Sequence, residues 1–319
     1  MFEKVSIVQR TSIVVLMLMM TAALASRALA FGSDEIGTTG FNFVKIGIGA
    51  RPVAMGSAFT GLADDVSAIY WNPGGLAAVG ERQATTTYLN YLAGIQSGFA
   101  GLLWPLDETN AVGVGLSYLT SGDIPKLDEQ GNDLGTFGSS ALALAMAYGR
   151  EVVPDVWAGV SLKGLYQTID DYSAHGVALD LGVLYRSRVP GLTAGAAVLN
   201  LGTQTGAFID EKDPLPTEIR IGGAYRPAPF AVGVLDVAVP FDNDPSLRLG
   251  AEVLPHPLFT IRAGYNTLGS QLKVGSEKDV LGGMSFGMGA TWQKMRVDYA
   301  YSPYVELGSA HRVSLVVHL

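Results

Sequence analysis

A serine set between two glycines, Gly283-Met284-Ser285-Phe286-Gly287, has the spacing of a hydrolase nucleophile elbow. Such an elbow needs a sharp strand-to-helix turn, a histidine base and an acid to orient that base. Here the serine lies inside a run in which Gly283, Ser285, Gly287 and Gly289 alternate with Met284, Phe286, Met288 and Ala290, so an extended strand continues through the motif. The glycine-rich stretch 47–52, Gly-Ile-Gly-Ala-Arg-Pro, lacks the third glycine and the preceding strand of a dinucleotide loop. Cysteine is absent, and His175, His256, His311 and His318 match no metal-ligand spacing. The acidic stretches 128–133 and 210–213 carry oxygen ligands that suit calcium, but solvated loop tips carry the same residues. The sequence therefore predicts no enzymatic chemistry, no metal centre and no cofactor.

What remains is the chemistry of surfaces. Of 319 residues, 48% are hydrophobic and 16% charged, against about 25% charged in ordinary soluble domains. A net charge of -8 offers no basic face, so nucleic acid is not an expected partner. Near the start, Lys4 and Arg10 precede an apolar stretch over 12–25, and Arg27-Ala28-Leu29-Ala30 puts small residues where a signal peptidase reads. Residues 1–30 thus read as a cleaved export signal, because the stretch is shorter than the roughly 20 residues a helical anchor requires.

From Gln83 onward the chain breaks into runs of alternating type. In one of them Leu142, Leu144, Met146 and Tyr148 share a face, and Ala141, Ala143, Ala145 and Ala147 share the other. Where charge enters such runs it stays on one side: Arg248 and Glu252 oppose Leu247 and Leu249, Arg296 and Asp298 oppose Val297 and Tyr299, and Arg220 and Arg226 oppose Ile219 and Ile221. Backbone groups in hydrocarbon have no water to bond, so strands cross a bilayer only as a closed cylinder, apolar outside and polar inside. Fourteen runs can be counted, from 83–92 to 309–319, with tight breaks alternating with long polar ones at 122–138, 204–216 and 269–280. Trp104, Tyr148, Trp157, Tyr185, Tyr225, Phe230, Phe259 and Trp292 lie beside the tight breaks, as an interfacial girdle would. The expected fold is all-β: a monomeric transmembrane antiparallel barrel of about 14 strands over 83–319, surrounded by outer-membrane lipid. A soluble exported sandwich or solenoid is the alternative.

That phase turns Lys163, Asp180, Arg220, Asp236, Arg248, Glu252, Arg262, Arg296 and Asp298 inward, together with Arg226. Their near balance of sign predicts pairing with one another and with whatever fills the lumen, whereas an ion-selective pore needs one sign to dominate. Simple solvation of a wet interior would use the same residues.

Residues 31–82 precede the first run and are too many for a simple tail. Asp64 or Asp65 can cap a short helix over 66–71, and Asn72 before Pro73 must leave it, because proline restricts its predecessor. Gly74 and Gly75 allow a sharp reversal, while Tyr70 and Trp71 supply large surfaces to pack on the barrel wall. The segment is expected inside the barrel as a plug; a periplasmic extension is the other place for it. The stretch 49–77, GARPVAMGSAFTGLADDVSAIYWNPGGLA, resembles the N-terminal signature of the PorV/PorQ group of outer-membrane proteins. That group is similar in turn to the FadL superfamily of fourteen-stranded barrels with an N-terminal hatch. Gly74 stands where alanine is commoner, a small departure. The resemblance implies one of two roles. A PorV-like chain binds exported proteins as part of a secretion machinery, and a FadL-like one admits hydrophobic small molecules. The long breaks are polar and poor in aromatics, which favours the first role.

Overall fold

The computed structural model describes residues 36–270 and 281–319. The predicted export signal, residues 31–35 and most of the break at 269–280 lie outside the described residues. Fourteen strands are present among the described residues: β1 (Gln83–Asn90), β2 (Gln96–Pro105), β3 (Asn110–Leu127), β4 (Asp133–Val153), β5 (Val156–Ile169), β6 (Tyr172–Arg186), β7 (Leu192–Gly206), β8 (Glu218–Ala228), β9 (Ala231–Pro240), β10 (Ser246–His256), β11 (Phe259–Asn266), β12 (Met284–Trp292), β13 (Met295–Pro303) and β14 (Ser309–His318). Each pairs antiparallel with its sequence neighbours, and β1 pairs with β14 from Gln83 opposite His318 to Asn90 opposite His311. The sheet therefore closes on itself and has no free edge, which is the condition for strands to cross a bilayer. No helix among the described residues is long and apolar enough to cross a membrane.

The two-residue rhythm sorts the side chains as read from the sequence. On β4, Leu142, Leu144, Met146 and Tyr148 are exposed on the outside while Ala141, Ala143, Ala145 and Ala147 are buried within. Small inward residues leave room for something in the lumen. The longest connections, β7 to β8 and β11 to β12, lie at the end of the barrel opposite the start of β1 and the end of β14, although the two-residue turn between β5 and β6 is at that end too.

Two expectations need correction. The break predicted at 122–138 is mostly strand, because β3 runs on to Leu127 and β4 begins at Asp133. Past the apolar band both faces of a hairpin meet water, so the alternation that marks a strand disappears from the sequence while the pairing continues. The remaining turn is closed by Asp128, whose carboxylate accepts the N–H groups of Gln130 at 2.9 Å and Asn132 at 2.7 Å. The second correction concerns Trp157, read as part of the girdle. It shares the inward phase of Lys163 on β5, is 5% exposed, and packs with Leu76 and Leu184 inside the barrel.

Candidate functional site

The segment before β1 threads the lumen as short pieces: a 3-10 turn (Asn42–Lys45), α1 (Ala50–Ala54), α2 (Ala68–Trp71), a second 3-10 turn (Pro73–Gly75) and α3 (Leu76–Val79). Helices this short do not hold themselves together in water. They are ordered by the wall, and Ala54, Phe59, Ile69, Trp71 and Leu76 are fully buried.

Asn72 is the hinge of this arrangement. It leaves α2 in extended backbone and is fully buried. Its Oδ1 accepts the Gly74 N–H at 3.0 Å, and its Nδ2 donates to the carbonyls of Thr60 at 2.8 Å and Val183 at 2.9 Å. The amide thus ties the turn both to the rest of the lumenal segment and to strand β6. Pro73 opens the following 3-10 turn, where no N–H is needed. The two glycines serve a purpose other than the expected one. Neither has a positive φ; both are small because the chain passes too close to other backbone for a side chain. A Cβ on Gly75 would fall 2.2 Å from the Ala63 carbonyl oxygen, and one on Gly74 would fall 2.7 Å from the Val183 Cα. Glycine at 74 is therefore no minor departure from alanine in this chain. The wall answers in kind, since a Cβ on Gly159 would meet the Pro73 oxygen at 2.1 Å and one on Gly182 would meet the Asn72 Oδ1 at 2.1 Å.

Tyr70 and Trp71 pack in one cluster with Phe59 of the lumenal segment and with Phe99, Val232 and Val234 of the wall. Their polar atoms go to the segment itself. The Tyr70 hydroxyl donates to the Val44 and Ile46 carbonyls at 2.6 and 3.2 Å, and the Trp71 Nε1–H to the Ile48 carbonyl at 3.2 Å. Burial pushes the Tyr70 hydroxyl up to about 12, so it remains a donor. The Arg220 guanidinium lies 5.0 Å from the Trp71 ring centroid and the Lys163 ammonium 5.5 Å from that of Tyr70. Asp65, expected to cap a helix over 66–71, accepts the Ser67 N–H at 3.0 Å just ahead of α2, which begins at Ala68; Asp64 instead pairs with Arg51.

The inward charges form three groups. In the largest, six residues close a ring of ion pairs: Arg51 to Glu252 at 2.8 Å, Glu252 to Arg262 at 2.6 Å, Arg262 to Asp298 at 2.8 Å, Asp298 to Arg296 at 2.7 Å, Arg296 to Asp65 at 3.0 Å, and Asp65 back to Arg51 at 3.2 Å. Arg51 and Asp65 belong to the lumenal segment and the other four to β10, β11 and β13, so the ring fastens the segment to the wall with equal numbers of each sign. Burial works against the Asp65 charge, and Arg296 and Arg51 together hold its carboxyl below the usual range. Arg226 joins from the side through Asp64. In the second group Lys163 pairs with Asp180 at 2.6 Å and donates to Asn200 at 2.8 Å. In the third, Glu218 is shared between Arg220 at 2.5 Å and Arg248 at 2.6 Å. Asp236 stands nearby and accepts the N–H groups of Phe59 and Thr60, each at 2.9 Å.

Four members of these groups, Arg51, Asp64, Asp65 and Glu218, were not singled out from the sequence as lumenal charges, nor was Arg312, which lines the same lumen. Glu218 and Arg312 share the inward phase of residues two apart, so the alternation contained them. For Arg51 and the two aspartates the linear sequence holds no such signal, because their partners lie far along the chain.

Between the lumenal segment and strands β8 to β14, toward the end of the longer loops, a cavity of about 470 Å³ remains. Trp71, Tyr91 and Tyr304 give it aromatic walls, and Arg220, Arg248 and Arg312 reach its surface. The ladder of strand pairing around it is unbroken among the described residues. The groups on Asn72 give a first expected outcome. Asn72→Ala with Pro73→Ala strands the Thr60 and Val183 carbonyls and the Gly74 N–H, at about 1–3 kcal/mol for each buried unsatisfied group. Liposome swelling should then show faster entry of small sugars than with the unaltered chain, and unchanged swelling with unchanged protease resistance would mean that these residues do not hold the segment.

No family model matches the chain, and no curated protein matches it in sequence. In three dimensions it is similar to CymD, a monoaromatic hydrocarbon channel (12% identity over 86% of this chain and 98% of that one, TM-score 0.59). It is similar also to the toluene transporter TbuX of Ralstonia pickettii (14% identity, 85% and 97% covered, TM-score 0.58) and to a FadL homologue of Pseudomonas aeruginosa (10% identity, 85% and 98%, TM-score 0.58). At such identities the likeness is one of fold, and the fold shared is the closed fourteen-stranded antiparallel barrel of FadL-like outer-membrane proteins.

Proposed function

We propose that this chain is an outer-membrane barrel that admits hydrophobic small molecules through its lumen, and that residues 31–82 act as its plug. The observation that carries the reading is the cavity. The lumenal segment leaves about 470 Å³ unfilled and walls it partly with Trp71, Tyr91 and Tyr304, within the range of about 300–1,000 Å³ common for small-molecule pockets. Support also comes from the fold, since barrels similar over 85–86% of this chain are described as a hydrocarbon channel and a toluene transporter. The interaction role favoured from the sequence needs external loops that stand out as a docking surface. The β3–β4 hairpin reaches past the apolar band, but the connection between β7 and β8 turns inward, burying Leu215 against Phe41 and Val44 of the lumenal segment. With no gap in the ladder among the described residues, the proposed route runs along the lumen and requires the plug to shift.

The test is uptake of labelled toluene by cells whose outer membrane carries the chain. Initial uptake several-fold above that of cells without it is the expected result. Equal uptake would overturn the transport role and return the secretion-associated one to first place.

A further inference from the structure

The described cations around the cavity outnumber their carboxylates. Lys45, Arg220, Arg248 and Arg312 face it against only Glu218 and Asp242. Asp242 is taken up by Lys45 at 2.6 Å and by the Thr39 hydroxyl. Glu218 serves two guanidinium groups at once, and Asp236 gives one oxygen, Oδ2, to backbone N–H groups of the lumenal segment, its Oδ1 being buried without a donor among the described residues. Arg312 is 4% exposed, and its side-chain Nε has no acceptor among the described residues. Arg220 Nη1, Arg248 Nε and Arg312 Nε are all buried without an acceptor. Burying a guanidinium without a partner is costly, and interiors avoid it unless something supplies the missing oxygens. A cavity lined by more described cations than carboxylates suits an anion rich in acceptors, and a carboxylate matches the fork of a guanidinium. Its other end would lie among Trp71, Tyr91 and Tyr304, the two tyrosines meeting edge to face with centroids 5.6 Å apart.

We propose that Arg220, Arg248 and Arg312 bind the carboxylate of a single-ring aromatic acid in this cavity. The proposal names the ligand chemistry of the cavity in the transport reading and rests on that reading for passage, though not for binding. Arg248 and Arg220 present the acid from the side anchored by Glu218, and Arg312 closes on it from β14. The aromatic side chains receive the ring.

The full chain in detergent can be titrated calorimetrically with benzoate, with benzamide as the neutral analogue of the same shape, and with acetate as the head group alone. Saturable benzoate binding is expected. Arg312→Gln should weaken it about ten- to hundredfold, the worth of one buried charge-assisted hydrogen bond or more. Benzamide and acetate should bind far more weakly than benzoate. The site is overturned if benzoate does not saturate, if benzamide binds equally well, or if Arg312→Gln changes nothing; in those cases lumenal water satisfies the arginines. Acetate binding as tightly as benzoate overturns the aromatic part. Removing Arg312 strands no carboxylate, so the variant should fold; if it loses heat-modifiable migration, the comparison of benzoate with benzamide on the unaltered chain decides. Benzoate binding without toluene uptake sinks transport alone, and toluene uptake without benzoate binding sinks the acid site alone.

Discussion

Glu252→Ala is expected to release the lumenal segment while leaving the barrel standing. The carboxylate accepts from Arg51 through both of its oxygens, at 2.8 and 2.9 Å, and from Arg262 at 2.6 Å. Its loss leaves two buried guanidinium groups short of a partner and opens the six-membered ring. Breaking a buried pair by removing one side costs about 3–5 kcal/mol, because the stranded charge has no water to turn to. The wall itself is held by its ladders, so the strain falls on the weaker attachment. Chymotrypsin should cut after Phe59, fully buried in the lumenal segment, in the variant and spare it in the unaltered chain, while both still show heat-modifiable migration on a gel. Glu252→Gln keeps acceptors without the charge and should fall between the two. Lys126→Ala, which removes an exposed pair with Asp170, should leave Phe59 protected. Cleavage at the same rate in all four proteins would show that the ring does not fasten the segment.

Gly159→Ala combined with Gly182→Ala is expected to raise conductance. Each added methyl would lie 2.1 Å from an oxygen of the Asn72-Pro73 turn, and the Gly182 methyl would also press on the Pro73 Cδ at 2.8 Å. Neither strand can retreat, since both are paired on two sides. Overpacking of this kind costs about 1–3 kcal/mol at each site, so the turn must leave the wall or tilt from it. Single-channel recording in planar bilayers should then show larger and more frequent openings. Gly233→Ala makes a fitting control, because nothing lies within 4 Å of where its methyl would go. If the double variant conducts like the control, the contact between turn and wall does not set the closed state.

The two cases differ in how much of them could be read in advance. The inward phase of Glu252, Arg262, Arg296 and Asp298 follows from alternation alone, since a strand in a bilayer wall must sort its side chains by twos. That Arg51 and Asp65 complete a ring with them does not follow, because their partners lie about two hundred residues away and pairing over that distance is decided by where the segment threads. Trp157 shows the opposite error. Its aromatic type and its place beside a tight turn pointed to the membrane interface, and the strand phase, which overrides type, put it inside. The hairpin of β3 and β4 was missed for a reason of solvent: alternation reports a boundary between oil and water, and beyond that boundary there is nothing for it to report.

From the order of residues alone came the barrel: the strand count, the inward and outward faces, the charge that the lumen must hold, and the turn at Asn72-Pro73. All of these are local, set by period-two patterning and by backbone restrictions acting within a few residues. The tertiary structure decided what is not local. It showed that Gly74, Gly75, Gly159 and Gly182 are glycines because the turn and the wall touch, that one ring of six charges joins the segment to the wall, and that three arginines line one cavity beside Glu218 and Asp242 among the described residues. Contacts of that kind depend on which distant segments are brought together, and no periodicity in a single chain encodes them.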